Sequence, residues 1–412
     1  MSRTDQELIL KEEDVKMKAS ITDFPDEFYN GKNVLVRVDF NVPLKEGKVD
    51  DDYRIRSSIP TLDYLCSRGA KLIVVSHLGR PDGKPDPAMS LRPTAERLQS
   101  LTSKRVKWVG ECIGKDVENA VKDLRNGEIL LLENLRFHAE EEKNDDEFSR
   151  ALASLAEVFV NDAFSASHRK HSSTYGVPAL LQYRLAGLQL QKELTYLSKV
   201  RDEPDHPFIL VVGGAKIRDK IDAMKHLIEK ADKVLVGGCI AYTLLASKGV
   251  SIGKSPIEND FLAWGSEILK KEEKILLPED HIISPNVDLP TQAELARGGI
   301  PANMKGFDIG PLTSQRYMSI IASGGGTVFW NGPMGLFEIR EFSHGTTDVA
   351  QAIALAHFRG STTVIGGGDS VSALEKSGVK ESEVSHISTG GGASLEYVGG
   401  KILPGIEILS DK

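Results

Sequence analysis

Cysteine is scarce in this sequence, and the scarcity is the first constraint. Cys66, Cys112 and Cys239 are the whole complement of a 412-residue chain, and none belongs to a C-x-x-C pair. That excludes a disulfide framework and a cysteine-based zinc site, and it fits a reducing cytoplasm. A surplus of positive charge is also missing. Lys and Arg number 51 against 59 Asp and Glu, a formal net charge of −8. Nucleic-acid binders normally carry a basic stripe, so no nucleic-acid partner is expected, and any anionic ligand must be caught by a local basic pocket. No apolar run approaches the roughly 18 residues needed to span a bilayer. The opening segment MSRTDQELILKEEDVKMKAS is charged throughout and has no apolar stretch of a secretory signal. A soluble, cytoplasmic protein without membrane association is expected.

Several catalytic signatures are absent too. GVSIGKS (249–255) resembles a P-loop but has one residue too few between its glycines. No G-x-G-x-x-G follows a strand-like run, and H-E-x-x-H, G-x-S-x-G and a protein-kinase H-R-D are missing. Nothing suggests a covalent nucleophile.

What the sequence has is length, apolar runs and punctuation. A chain of 412 residues, 40% hydrophobic and 27% charged, is too long for one core and suggests two domains. Short β-branched runs recur, among them VLVRVD (34–39), KLIVVS (71–76), EILLLE (128–133), EVFVND (157–162), FILVVGG (208–214), KVLVGG (233–238), TVFWNG (327–332), TTVIGG (362–367) and SHIST (385–389). Stretches of helical period separate many of them, such as 57–69 and 220–232. Strands apolar on both faces that alternate with helices indicate parallel sheets covered on both sides. The expected fold class is therefore α/β, with two doubly wound, Rossmann-like domains facing each other across a cleft. The expected division is 1–186 and 187–394, the second domain opening with a connecting helix over 187–200. The tail 395–412 is expected to pack back onto the first domain, with KILPGIEIL (401–409) read as strand-like.

Many apolar runs end in a polar or glycine-rich cluster, which is where doubly wound sheets bind ligands. The clusters differ in chemistry between the halves. Before residue 180 they carry Arg54, His77, Arg80, Arg136, His138, His168 and Arg169. A guanidinium grips phosphate or carboxylate with paired hydrogen bonds, so several at strand ends suggest an anion pocket. Any one of them alone reads as a solvated surface charge. After residue 205 the clusters are glycine-rich: GGAKIRDK (213–220), NGPMGLFE (331–338), GGGDS (366–370) and STGGGASLE (388–396). Such turns present free backbone N–H groups and the positive end of a helix dipole to phosphate. Asp369 is suited to Mg²⁺ on a nucleotide, the alternative being a helix N-cap. Lys216 and Lys220 lie four apart and share a face once a helix begins. A lysine at a helix N-terminus opposes the dipole unless an anion is present. The residues alone thus point to phosphoryl transfer between a nucleotide and a small anionic metabolite.

Taken together, RVDFNVP (37–43), DDYRIR (51–56), SHLGRP, ENLRFH and NDAFSASHR resemble the N-terminal domain of the phosphoglycerate kinase family. GGAKIRDK, NGPMGLFE, GGGDS and STGGGASLE resemble its C-terminal domain, and the match runs in family order from about residue 31 onward. The resemblance implies the reaction ADP + 1,3-bisphosphoglycerate ⇌ ATP + 3-phosphoglycerate, with Mg²⁺ on the nucleotide. It assigns Asp39, Phe40, Asn41, Arg54, His77, Leu78, Gly79, Arg80, Arg136 and Arg169 to the triose site. It assigns Lys216, Lys220, Gly310, Glu338, Gly367, Gly368, Asp369 and Ser370 to the nucleotide site. Arg54 and Lys216 flank the transferring group, Glu338 holds ribose hydroxyls, and Asp369 positions the metal. Ser370 stands where the family often has Thr, which keeps the hydroxyl. The partners implied are these small molecules, with a monomer expected and a homodimer as the alternative.

Two other readings compete. An NAD-dependent dehydrogenase needs a glycine fingerprint after its first strand, where this chain has DFNVPLKEGK. A non-catalytic protein closing over an anionic sugar accounts for the arginines but not for Lys216, Glu338 and Asp369. With the half-sites on separate domains, the kinase reading also expects closure on hinges at 186–200 and Gly390–Gly392.

Overall fold

The computed structural model describes residues 18–271 and 273–412. The segment read above for a secretory signal lies outside the described residues except for its last three positions. The chain forms two compact units. Unit 1 holds residues up to Asp162, then Lys170–Leu188 and Gly405–Lys412; unit 2 holds Ala163–Arg169 and Gln189–Pro404.

Unit 1 is built on six parallel strands: β1 (Asn33–Arg37), β2 (Lys71–Val75), β3 (Val106–Trp108), β4 (Ile129–Leu131), β5 (Val158–Asn161) and β6 (Tyr183–Ala186). Their order across the sheet is β3-β4-β2-β1-β5-β6. The central strands are Val, Leu and Ile on both faces, and Val34, Leu35, Val36, Leu72, Ile73 and Val74 are fully buried. Such strands are stable only with cover on each side, and helix α1 (Tyr53–Ser67) supplies part of it through Ile55, Leu62 and Leu65.

Unit 2 repeats the plan. Strands β7 (Phe208–Val212), β8 (Lys233–Val236), β9 (Ile275–Leu276), β13 (Thr327–Asn331), β14 (Thr362–Gly366) and β15 (His386–Ile387) form a parallel sheet. The order is β9-β8-β7-β13-β14-β15. A separate antiparallel sheet has β10 (Asp280–Ser284) between β11 (Glu294–Arg297) and β12 (Lys305–Ile309). The core centres on Trp330, whose ring is fully buried and whose indole N–H donates to the Gly332 carbonyl at 2.8 Å. That bond removes the penalty of burying the indole donor.

A helix, α2, runs Leu188–Arg201. Its Glu193 is fully buried and accepts from His386 Nε2 at 2.9 Å, Thr389 N at 2.7 Å and Thr389 Oγ1 at 2.8 Å. Burial alone would raise this carboxyl, but those donors outweigh it and hold it below its ordinary value. Segment 163–169 groups with unit 2 because Phe164 sits edge-on against Tyr397, with ring centres 5.6 Å apart.

The final stretch departs from expectation. KILPGIEIL is not a strand: a helical turn covers Pro404–Glu407. Proline has no N–H for a ladder, and its fixed φ suits the first position of a helix. Residues from Gly405 onward nevertheless bind unit 1. The Gly405 carbonyl accepts from Asn161 Nδ2 at 2.9 Å, Ala19 N donates to Ser410 O at 2.8 Å, and Ser410 N donates to Arg184 O at 2.9 Å.

Candidate functional site

In unit 1 the polar clusters meet beyond the carboxyl ends of β1, β2 and β4, and Gly79 is their junction. Its N–H donates to Asn41 Oδ1 at 2.9 Å, and its carbonyl accepts from Arg136 Nη1 at 2.9 Å. Gly79 has φ of +64°, and a Cβ there would lie 2.7 Å from Met89 Sδ. The positive φ favours glycine, and a Cβ there would also push the Met89 side chain aside. Asn134 ties the same loops together. Its Oδ1 accepts from Leu78 N at 3.2 Å and Arg136 N at 3.1 Å, while its Nδ2 donates to Leu78 O at 2.7 Å and Met89 O at 2.9 Å.

The cations of this cradle are held in ion pairs. Arg54 projects from the first turn of α1 and donates to Asp39 Oδ2 at 2.7 Å and to the Asn41 carbonyl at 3.3 Å. Arg136 Nε lies 3.1 Å from Glu142 Oε1. Arg37, at the end of β1, is 1% exposed; its Nε donates to Ser173 Oγ at 3.0 Å and its Nη2 meets His77 Nδ1 at 2.9 Å. A guanidinium has only donors, so His77 Nδ1 accepts and Nε2 carries the ring proton. Burial, reinforced by Arg37, Arg136 and Arg54, pushes His77 well below its ordinary pKa, which keeps it neutral at pH 7.

The residues expected at this site fall into three groups. Asp39, Asn41, Arg54, Leu78, Gly79 and Arg136 join one hydrogen-bonded network, and His77 pairs with Arg37. Phe40 contributes its backbone, whose N–H donates to Ser76 Oγ at 2.8 Å, while its ring is fully buried in the core. Arg80 is exposed, and Arg169 is exposed within unit 2, its Nε donating to His168 Nε2 at 3.1 Å.

Unit 2 uses backbone where unit 1 uses side chains. Four neighbouring strands, β8, β7, β13 and β14, end in glycine turns at Gly237–Gly238, Gly213–Gly214, Gly332 and Gly366–Gly368. Gly214, Gly238, Gly332 and Gly367 all have φ between +60° and +96°. The turns touch backbone to backbone: a Cβ on Gly238 would lie 2.5 Å from Gly214 N, and one on Gly213 would lie 2.1 Å from Pro333 O. Ser370 Oγ accepts from Gly332 N at 2.6 Å, which couples the last two turns.

Beside them stands Lys220. The helix α3 (Ile221–Lys230) begins after it, so Lys220 is the N-cap and Lys216 lies outside the helix. The expected shared helical face does not form, because the turn through Ile217–Lys220 precedes the first helical residue. Lys220 Nζ donates to the Asn331 carbonyl at 3.1 Å. Burial pushes its pKa down to about 8, against the opposing pull of Asp369 and Asp219. Lys216 is exposed.

Asp369 is exposed at the second position of helix α4 (Gly368–Lys376), and Gly367 is the N-cap, so Asp369 does not cap. Glu338 is exposed beyond the Asn331–Phe337 turn. Gly310 has a structural reason of its own. It is the N-cap of the helix Pro311–Ile321, whose N–H groups at Leu312 and Thr313 donate to the Asp280 carboxylate, each at 2.9 Å. A Cβ on Gly310 would lie 2.3 Å from that carboxylate.

Sequence reasoning passed over Arg37, Asn134 and Asn331. Each lies within a motif already singled out, and a charged or amide residue at the end of a wholly apolar strand was the available signal.

Comparison with known proteins agrees with this geometry. The sequence profile described as phosphoglycerate kinase matches residues 22–401. A phosphoglycerate kinase of Chloroherpeton thalassium is 48% identical over 391 residues, covering 94% of this chain and 98% of the relative. That of Moorella thermoacetica is 48% identical over 389 residues, covering 93% and 97%. Among solved structures, phosphoglycerate kinase from Coxiella burnetii matches with a TM-score of 0.83 at 36% identity, covering 95% of this chain and 98% of that one. The enzyme from Pyrococcus horikoshii matches with a TM-score of 0.81 at 30% identity, again covering 95% and 98%. With two doubly wound sheets, an arginine-lined cradle and a set of glycine turns already in view, these matches show that the chain belongs to the phosphoglycerate kinase family.

Proposed function

We propose that this chain catalyses its family's reaction, reversible transfer of the acyl phosphate of 1,3-bisphosphoglycerate to ADP, with the triose bound at the Gly79 cradle and the nucleotide at the glycine turns. A β-phosphate oxygen of ADP attacks the acyl phosphorus, the bond from phosphorus to the carboxyl oxygen breaks, and 3-phosphoglycerate leaves as the carboxylate. The chemistry needs positioning and neutralisation of spread negative charge, not a covalent intermediate. The observation that carries the reading is the set of four glycine turns packed at neighbouring strand ends with Lys220 beside them. The close backbone approach, the N–H groups that open the helix Gly368–Lys376 and one partly dehydrated cation there suit a polyphosphate.

In this reading Arg54 and Lys216 neutralise the transferring group from either side. Arg136 and Arg169 anchor the triose, and Glu338 receives ribose hydroxyls. Mg²⁺ fits the second site: the exposed carboxylate of Asp369, at the start of a helix after a parallel strand, offers the hard oxygen that ion prefers. When bound with the nucleotide it neutralises phosphate charge. Among the described residues no helix is long and apolar enough to cross a membrane. The three free thiols fit a cytoplasmic setting.

In-line transfer needs the reacting atoms within about 3–3.5 Å. Most triose candidates belong to unit 1 and the nucleotide candidates to unit 2, so we also infer closure once both substrates are bound. A smaller radius of gyration in the ternary sample than with either ligand alone is expected in small-angle scattering; an unchanged radius refutes closure. The reaction is tested by a coupled assay with ADP and 1,3-bisphosphoglycerate. In the same assay Asp369→Ala should require more Mg²⁺ while the triose KM holds. An unchanged Mg²⁺ dependence removes Asp369 from that role.

A further inference from the structure

Away from the reacting groups, three side chains of unit 1 converge in a way the transfer chemistry does not use. We propose that Glu111, Cys112 and His138 form a binding site for a thiophilic divalent cation of the zinc type. One ligand atom from each lies within 4.8 Å of the other two. The set combines a thiol, an imidazole and a carboxylate, the donors zinc takes in mixed sites.

The geometry follows from the loops after β3 and β4. Glu111 and Cys112 follow β3, and His138 ends the ENLRFH loop after β4. His138 Nε2 and Glu111 Oε1 are 2.6 Å apart, and Cys112 N also donates to Glu111 Oε1 at 2.7 Å. The His138 ring packs on Phe148, with centres 5.0 Å apart, which limits its rotation. Cys112 is fully buried, and its Sγ donates to the Glu133 carbonyl at 3.1 Å, so the sulfur is fixed beside the pair. Glu111 is exposed and His138 half-buried, which leaves a route from solvent.

Tetrahedral zinc with bonds of about 2.0–2.3 Å sets its donor atoms roughly 3.3–3.8 Å apart. The 2.6 Å contact therefore opens by about 0.7 Å, while the sulfur already lies within 4.8 Å of both partners. A thiol that ligates a dication gives up its proton on binding. The ENLRFH loop also carries Asn134 and Arg136, so a bound ion would brace the anion cradle from behind. The exclusion drawn from cysteine spacing holds for sites built on cysteine pairs; here only one cysteine takes part.

The test is titration of the chelator-treated full chain with Zn²⁺ and, separately, with Co²⁺. One equivalent of Zn²⁺ should bind with release of about one proton, read by calorimetry in buffers of different ionisation enthalpy. Co²⁺ should show thiolate-to-metal charge-transfer absorption. Cys112→Ser should abolish that absorption, and Glu111→Gln and His138→Asn should each weaken Zn²⁺ binding by about tenfold or more. Glu111→Gln changes only an exposed group and keeps the test valid if Cys112→Ser fails to fold. Absence of the absorption in the parent chain, its persistence in Cys112→Ser, or unchanged Zn²⁺ affinity in both Glu111→Gln and His138→Asn would each overturn the proposal.

Discussion

The two units share a sheet plan yet build their candidate anion sites from opposite materials. In unit 1 the donors are side chains, each already engaged: Arg54 with Asp39, Arg136 with Glu142, Arg37 with Ser173 and His77. In unit 2 the glycine turns use most of their own N–H groups on one another, which leaves the N–H groups opening the helix Gly368–Lys376 and the half-buried cation of Lys220. A ligand in unit 1 exchanges one partner for another, so geometry and charge decide what it gains. A ligand in unit 2 meets groups fixed by the main chain, so close approach decides. Removing a side chain should therefore damage the first site, and adding one should damage the second.

The largest effect is expected from Arg54→Ala. Loss of a charge donor to the transition state should lower kcat by about 10²-fold or more. The triose KM should move little; a kcat within a few-fold of the parent would take Arg54 out of the chemistry. Arg136→Ala should instead weaken 3-phosphoglycerate binding by about 1.5–3 kcal/mol, the worth of a hydrogen bond to a charged group, and leave ADP affinity intact. Calorimetry showing both ligands weakened alike would indicate a folding defect.

The reverse experiment is Gly238→Ala. Its φ of +60° and the 2.5 Å approach to Gly214 N leave no room for a methyl group. Stability should fall by roughly 1–3 kcal/mol, and nucleotide affinity should fall with it while triose affinity holds. Normal ADP binding in a folded variant would mean that the turns do not need their tight contact.

The smallest effect separates the two materials by pH. Lys220 has its folded pKa lowered to about 8, so between that value and 10.5 the folded state binds fewer protons than the unfolded state. Stability of the ligand-free protein should thus rise with pH across that window, and Lys220→Met should flatten the rise. Phosphate beside Lys220 restores its charge, so ADP binding near pH 8.5 should take up a proton. Calorimetry in two buffers measures that uptake, and its persistence in Lys220→Met would assign it elsewhere.

Much of the fold was legible because its strands are apolar on both faces and end at glycine or a charged residue. VLVRVD, FILVVGG and TVFWNG became β1, β7 and β13 for that reason. The site was legible as motifs at strand ends. Illegible were pairings between distant segments, which leave no periodic trace. Asp280 capping the helix at Leu312 and Thr313 is one; Glu193 receiving His386 and Thr389 is another. The helical period over 220–232 became α3, but the lysine spacing did not reveal that Lys216 lies outside it. KILPGIEIL misled because its apolar alternation outweighed one proline.

Residues 405–412 complete unit 1, closing on Asn161, Arg184 and Ala19, although all of unit 2 apart from Ala163–Arg169 is made between Leu188 and Gly405. On the ribosome, the unit that emerges first is finished last. At about 5–20 residues per second the wait is on the order of ten to forty seconds. Throughout it, the groups that later receive Gly405 and Ser410 stay open to water, nascent chain or chaperone.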